Sequence, residues 1–521
     1  MGADKIQYIV AMTVYMAAVI VIGFSFARKA SESTKNYLLG GRSLGPWVTA
    51  MAAEASDMSG YLLMGVPGLA YWCGLGEAIW TGIGLLIGTY LNWLFVAKRL
   101  RTYSSIAGDA ITIPDFFSNR FKENKKIILS IAALFILVFF SVYAASCFVA
   151  VGRLFSTIFD TAYIPMMLLG AVFVVLYTFI GGFLAESASD FMQGIIMFMA
   201  LVVVLVAGVG HAGGISAVIE NAQTIPGFFE FFGVAQPEVA KGVQIVSASK
   251  PVFGEASSFG PLLIISTLSW GLGYFGMPQV LLKFMAIKNP SELKTSRRVA
   301  TVWCAISLFA AVFIGIIGRN LYPIDLLTPS DSENIFILMS SSFFPPLIAG
   351  LVMAGILAAT ISSSDSYLLI AASAFSKNLY HGILKKEASD KQVLRMSRIT
   401  LLVIAVIAAI IALEEDSVIF KVVSFAWAGF GATFGPIMLF SLFWKRVTRE
   451  GAIAGMVTGG LTVIIWKLLV RPLGGYFDIY ELLPAFALSC LLIVIVSLCT
   501  DEPSQEIQEE FDKVKNYNYS S

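Results

Sequence analysis

Charge is scarce in this chain. Only 13% of its 521 residues are Asp, Glu, Lys or Arg, about half the share found in ordinary soluble domains. A chain of this length cannot cover a water-facing surface with so few polar groups, so its solvent is largely lipid. An excess of one sign is lacking too: the formal net charge is +1, which leaves no basic field for nucleic acid. Histidine is limited to His211 and His381, far apart and in predicted loops. The five cysteines (Cys73, Cys147, Cys304, Cys490, Cys499) are scattered without a CxxC pair. Neither a disulfide framework nor a zinc or other transition-metal site is indicated. No GxxxxGK[ST] run offers an ATP site, no organic-cofactor motif stands out, and no nucleophile–base constellation marks an enzyme.

What the chain has instead is hydrophobicity: 57% of residues are hydrophobic and the mean hydropathy is +0.81. Apolar stretches near or above the roughly 20 residues a bilayer requires recur at 6–26, 46–69, 75–97, 127–155, 163–183, 188–210, 259–286, 298–320, 346–376, 396–413, 418–443, 451–469 and 480–499. The expected fold is therefore all-α, a polytopic membrane protein of about thirteen transmembrane helices. It forms one domain over 1–500, followed by a polar tail, 501–521. No small-residue cleavage site follows the first span, which reads as a retained helix. Residues 211–258 read as a long outer loop, and 329–345 as a short helix capping the outer mouth.

Basic residues orient these spans. With the N-terminus outside, the inner loops and adjoining helix ends hold Arg28, Lys29, Lys35 and Arg42; Lys98, Arg99, Arg101, Arg120, Lys122, Lys125 and Lys126; and Lys283, Lys288, Lys294, Arg297 and Arg298. Later loops add Lys377, Lys385, Lys386, Lys391, Arg395 and Arg398, then Lys445, Arg446 and Arg449. These are 25 of the 35 Lys and Arg residues. The positive-inside rule then gives N-out, C-in and an odd number of spans.

Two spans are interrupted at their middles. Span 46–69 holds Glu54, Ser56, Asp57, Ser59, Gly60, Gly65, Pro67 and Gly68. Span 259–286 holds Trp270-Gly-Leu-Gly-Tyr-Phe-Gly-Met-Pro278. Unwound backbone at membrane depth is tolerated only where it is buried or lines a cavity, and such a pair in corresponding places of two halves points to a transporter's binding site. The plainer alternative is two kinked helices packed through glycine. Asp57 weighs against that, since an ionisable residue within a span costs about 2.5–3.5 kcal/mol on insertion scales.

A hard monovalent cation such as sodium takes oxygen ligands. In the ninth span, residues 359, 362, 363 and 366 share one helix face. The hydroxyls of Ser362 and Ser363 with the Ala359 carbonyl can supply three oxygens, and unwound carbonyls at Ala55 and Met58 two more. Asp57 and Asp190 stand nearby. Serines in a membrane helix equally bond back to the preceding turn or let helices pack closely. Asp190 equally suits a helix N-terminus. Asp365 lies off the serine face, either behind the ion ligands or toward an inner water path. For a solute, Tyr143, Trp270 and Tyr274 are amphipathic aromatics within spans, the kind of wall small-ligand pockets use.

Four stretches together carry a family likeness: Tyr37-Leu-Leu-Gly-Gly-Arg-Ser-Leu-Gly45, Ala55-Ser-Asp-Met-Ser-Gly-Tyr-Leu-Leu-Met-Gly-Val-Pro67, Tyr177-Thr-Phe-Ile-Gly-Gly-Phe-Leu184 and Trp270-Gly-Leu-Gly-Tyr-Phe-Gly276. In this order they resemble the sodium/proline symporter group of the sodium–solute symporter family, over about residues 6–500. The resemblance implies a five-plus-five inverted-repeat (LeuT-type) fold, with repeats at about 46–210 and 259–443 and extra helices at each end. It implies import of L-proline with sodium across a bacterial-type plasma (inner) membrane, with no obligatory protein partner. It also implies sodium on Ala55, Met58, Ala359, Ser362 and Ser363, with ion coupling through Asp57 and Asp190. Solute would meet Ser59, Gly60, Tyr143, Trp270, Tyr274 and Ser366, and Arg42 would act at an inner gate. The sequence departs from the group's pattern at Tyr61 (usually Trp), Ser366 (usually Cys) and Asp365 (usually neutral). The alternatives are a sodium symporter for another amino acid, pantothenate or a sugar acid; a membrane sensor of the same fold, against which the short tail argues; and an ion channel.

Overall fold

Helix follows helix along the chain, because a backbone in lipid must satisfy its own hydrogen bonds. The computed structural model describes residues 3–30 and 32–517. The side chains of Arg28 and Lys29, counted among the inner basic residues, and that of Ile180 in the third motif lie outside the described residues, as does the tail beyond 517.

The apolar α1 (Ala3–Ala30) leads through the short α2 (Thr34–Leu39) to α3 (Pro46–Gly60), which starts on proline after an extended Gly45. A π turn over 61–65 connects α3 to α4 (Val66–Cys73). Pro67 sits just past that turn and cannot donate to the carbonyl one turn back. Then come α5 (Leu75–Leu91), α6 (Ala97–Ile106), α7 (Ile113–Arg120) and α8 (Ile127–Phe159). The next helix, α9 (Tyr163–His211), joins the expected fifth and sixth spans. Residues 184–187, expected as a loop, are helical, and the chain turns instead at Gly182, whose φ of 61° favours glycine.

The segment over residues 211–258, expected as a long outer loop, is more ordered than a loop. It holds α10 (Ile215–Gln223) and three two-stranded antiparallel ribbons between 233 and 258. The second interrupted span follows as α11 (Pro261–Leu268), a 3₁₀ stretch over 269–276, and α12 (Pro278–Ala286). After α13 (Leu293–Leu321), two short helices, α14 (Pro329–Ser332) and α15 (Ile335–Phe343), occupy the expected capping segment. The last membrane helices are α16 (Pro346–Ser373), α17 (Asp390–Ile411, opened by a Ser389–Gln392 capping box), α18 (Ile419–Phe443), α19 (Arg449–Ile465) and α20 (Leu482–Cys499). Both histidines, expected in loops, lie on helical turns, at the end of α9 and in the π-helical extension of α16.

Among the described residues, ten helices are long and apolar enough to cross a membrane, with two shorter apolar ones at 163–179 and 261–276. The protein is a multi-pass membrane protein. Burial divides the helices by role. The apolar windows of α16 and α18 are 83% buried and that of α1 only 28%, so the former pair forms the core while α1 faces lipid along much of its length. Around α16 pack α1, α3, α8 and α9; against α18 pack α8, α19, α20 and the 3₁₀ stretch. Both interrupted segments therefore meet a core helix at mid-height.

The tail folds back. In α21 (Gln505–Lys515), Ile507, Phe511 and Val514 are buried, and Phe511 faces Tyr103 of α6 edge-on. Ion pairs from Lys122 to Glu506 and Glu510, and from Lys445 to Asp512, hold its polar side.

Candidate ion and solute site

The break in α3 turns on one residue. Ser59 has φ 48° and ψ −167°, a region other residues than glycine rarely occupy, at a cost of order 1–3 kcal/mol. Its hydroxyl accepts the Tyr61 amide at 3.2 Å, and that amide also engages the Met58 and Ser59 carbonyls. The kink is thereby confined to Ser59, within a helix that runs to Gly60. One turn earlier, the Ala55 carbonyl receives the Ser362 hydroxyl at 2.8 Å and the Ser363 hydroxyl at 3.4 Å; Ser362 also donates to Ala359 at 3.1 Å. Four of the five expected ion-ligating residues thus converge across the α3–α16 contact, all buried. Met58 stands at the break itself. The convergent oxygens are neutral, two hydroxyls and two carbonyls, which suits a hard monovalent cation. Ser364 does not join them: its hydroxyl bonds back to Thr360 at 2.5 Å.

Asp57, 3% exposed, points toward the second break. Its carboxylate accepts from Gln279 of α12 at 3.1 Å, and its carbonyl faces the hydroxyls of Tyr143 and Tyr367, each at 3.4 Å. Asp57 therefore connects the two interrupted segments through its side chain, and α8 and α16 through its backbone carbonyl. Gln279 and Tyr367 were not anticipated from sequence; a glutamine one residue after Pro278, opening the second half-helix, was the available signal. Glu54, a second acid on α3, is engaged by the Trp93 indole at 3.3 Å.

Aromatic rings gather beyond the break. Trp270 stacks on Tyr61 (centroids 5.4 Å, 29°) and on Tyr480 (4.9 Å, 22°). Phe420 lies 5.4 Å from both Tyr61 and Trp270. The Trp427 indole donates to the Trp270 carbonyl at 2.8 Å and meets Tyr274 edge-on at 5.0 Å. Tyr143 stacks on Tyr367 at 4.3 Å. Of the three anticipated aromatics, Trp270 is the centre of this wall and Tyr274 joins it through Trp427, while Tyr143 pairs separately with Tyr367. Gly60 lets α8 approach: a Cβ there would lie 2.8 Å from Ala150 Cβ. Ser366, anticipated beside solute, instead gives its hydroxyl to Glu186.

Ion pairs bracket the site. On one side, Arg153 near the end of α8 pairs with Glu333 at 2.8 Å and donates to the carbonyls of Ser330, Glu415 and Ser417. The Glu333 carboxylate accepts the amides of Ile419 and Phe420 at the α18 N-terminus, where helix polarity favours an anion. The latch therefore fixes Phe420, one ring of the wall. On the opposite side, Arg42 donates to Asp109 at 3.2 Å, Ser104 at 3.1 Å, and the carbonyls of Met285 (2.6 Å) and Ala110 (2.8 Å). It ties the segment before α3 to the ends of α6 and α12. Partial burial pushes the Asp109 carboxyl up, but Lys35 and Arg42 outweigh this and hold it below its usual range. Leu44 bonds with Ala286 and Lys288 beside this knot. Asp190 on α9 accepts from Lys283 of α12 at 3.0 Å, so it is not a free helix-end charge.

Interrupted helices facing a core helix, neutral oxygens at the break and latches on both sides define a secondary transporter. The sodium:solute symporter family profile matches residues 37–459, and the chain belongs to that family. It is 41% identical to the osmoregulated proline transporter OpuE of Bacillus subtilis over 96% of each chain. It is 39% identical to a sodium/proline symporter of Staphylococcus aureus over 98% of this chain and 96% of the relative. Among solved structures, a Na+-coupled sialic acid symporter in a substrate-bound, outward-open state superposes with a TM-score of 0.75 at 18% identity, covering 96% of this chain and 99% of the other. That likeness shows the fold, the LeuT-type inverted repeat; sodium as the co-transported ion follows from the family.

Proposed function

We propose that this protein imports L-proline coupled to sodium by alternating access. The observation that carries the reading is the pair of hydroxyls, Ser362 and Ser363, set on the Ala55 carbonyl one turn before the α3 break. In this reading sodium is held by Ala55, Met58, Ala359, Ser362 and Ser363 and thereby clamps α3 to α16. Asp57 then transmits that closure to α12 through Gln279, and Asp190 assists ion passage toward the inside. The solute lies against Ser59, Gly60, Tyr143, Trp270 and Tyr274, joined by Tyr61; Ser366 acts from behind through Glu186. Arg153–Glu333 is the outer latch and the Arg42 knot the inner one, and each must open in turn. The proline relatives and the small aromatic-walled site support the choice of solute.

The repeats are about 46–210 and 259–443 within a domain of 1–500, with 501–521 a cytoplasmic tail. Ten long spans, the two shorter apolar helices and the interrupted α3–α4 make thirteen crossings, N-terminus outside and C-terminus inside a bacterial-type plasma membrane. The crowding of basic residues on one side supports that orientation. One sodium moving down about 100 mV releases about 2.3 kcal/mol. A tenfold sodium gradient adds about 1.4 kcal/mol. The sum supports about 500-fold accumulation at one-to-one coupling.

Sodium-gradient-driven uptake of labelled L-proline into proteoliposomes, challenged by a panel of other amino acids, pantothenate and sugar acids, tests this. Proline uptake that collapses without the gradient is expected, and Asp57→Ala should abolish it. Uptake indifferent to sodium, or displaced better by another solute, would overturn the reading.

A further inference from the structure

The ion's proposed oxygens carry no charge, yet the most highly charged group of buried side chains in the core lies one turn away. Lys283 of α12 is wholly buried. Its ammonium donates to Glu186 at 2.8 Å, Ser187 at 3.0 Å and Asp190 at 3.0 Å, which uses all three of its N–H groups. The Phe183 ring lies 4.6 Å away. Glu186 also receives the Ser366 hydroxyl, and Asp365 accepts the Ser366 amide at 2.7 Å. Two buried carboxylates, Glu186 and Asp190, therefore share one ammonium, and a third, Asp365, stands beside them through Ser366. Each keeps one buried oxygen without a hydrogen-bond partner: Glu186 Oε2, Asp190 Oδ1 and Asp365 Oδ2. Ser366 follows Ser362 by one turn, about 6 Å of helix rise.

An ammonium taken wholly out of water is costly unless its partners compensate, and a lysine here does nothing for packing that an apolar side chain of similar length would not do. What it supplies is one positive charge, held in an oxygen-lined, anionic pocket beside the proposed ion site. Carboxylate and hydroxyl oxygens are also what a hard monovalent cation takes from solution. We propose that Lys283 is a resident cation: it fills the place between Glu186, Ser187 and Asp190 that a second sodium would otherwise take, and so holds the transporter to one sodium per solute. Because α12 also carries Gln279, the partner of Asp57, this tethered charge moves with the half-helix that senses the first ion.

The proposal rests on the sodium-coupled reading, and one experiment separates the two. Radioactive sodium and labelled L-proline fluxes are measured together in proteoliposomes at zero membrane potential, with the sodium dependence of proline binding in detergent as a second readout. Wild type should move one sodium per proline with a Hill coefficient near one. Lys283→Met should move two, with a coefficient approaching two, and its thermal stability should depend more steeply on sodium than that of wild type. Lys283→Arg, which keeps the charge, should stay at one. Wild type without sodium dependence would refute the transport reading itself. A ratio of two in wild type, a ratio of one in well-folded Lys283→Met, or a Lys283→Met protein that no sodium concentration stabilises would each overturn the inference alone.

Discussion

The two interrupted helices solve the same problem differently. In the first, the distortion is concentrated in one residue: Ser59 alone leaves helical space, and a π turn absorbs the rest. In the second, eight residues tighten into a 3₁₀ stretch ended by an extended Met277 before Pro278. A single sharp turn leaves the rest of α3 helical and keeps the Ala55 carbonyl set against the α16 serines, an arrangement that suits an ion. A tightened stretch rotates successive side chains and sets Trp270 and Tyr274 against Trp427, which a solute wall needs. The glycines follow suit. Gly271 packs backbone to backbone on α5, where a Cβ would lie 2.3 Å from the Gly84 carbonyl oxygen, and Gly273 lies flat on Trp427.

Substitutions can break this contrast. The largest effect expected is at the first break. Ser59→Val places a β-branched residue at positive φ and should cost more than 3 kcal/mol, seen as lost sodium-dependent thermal stabilisation and lost uptake. Ser59→Gly should instead raise stability by about 1 kcal/mol through relief of strain. Next comes Gly271→Val, which forces α5 away from the second break; about 1–3 kcal/mol of stability should go, with solute affinity falling more than sodium affinity. Smallest is Trp427→Phe, which removes the hydrogen bond to the Trp270 carbonyl, worth about 1 kcal/mol. A rise of roughly fivefold in the proline concentration for half-maximal uptake, with sodium dependence unchanged, would place that bond in the solute half of the site.

Much of this architecture is legible from residue patterns. Long apolar runs locate the helices, and the Gly–polar–Pro interruptions locate both breaks, because composition and backbone permissiveness are local properties. Ser362 and Ser363 follow from helix spacing. The serines' individual partners do not: helical periodicity puts Ser366 on the same face, yet its hydroxyl goes to Glu186, a residue of α9 some 180 positions away in sequence. Lys283 is likewise hidden. At a span's inner end it reads as another positive-inside lysine, and only the tertiary fold buries it between two acids of α9. The Arg153–Glu333 latch escapes for the same reason, since each partner sits alone near a helix end. Residues 184–187 were expected as a loop because Glu186 and two serines break the apolar run; glycine at 182 supplies the turn instead, and the helix resumes at once.

The claim on which the rest depends is that serine hydroxyls of α16 and a carbonyl at the α3 break hold the ion. Equilibrium binding of radioactive sodium to Ser362→Ala, Ser363→Ala and Ser364→Ala tests it most directly, because Ser364 shares the serine run but bonds back within its own helix. The account predicts a loss of about tenfold or more in sodium affinity for the first two, consistent with removing an interaction worth about 1.4 kcal/mol, and no change for the third. Equal losses in all three, or an effect confined to Ser364→Ala, would contradict it.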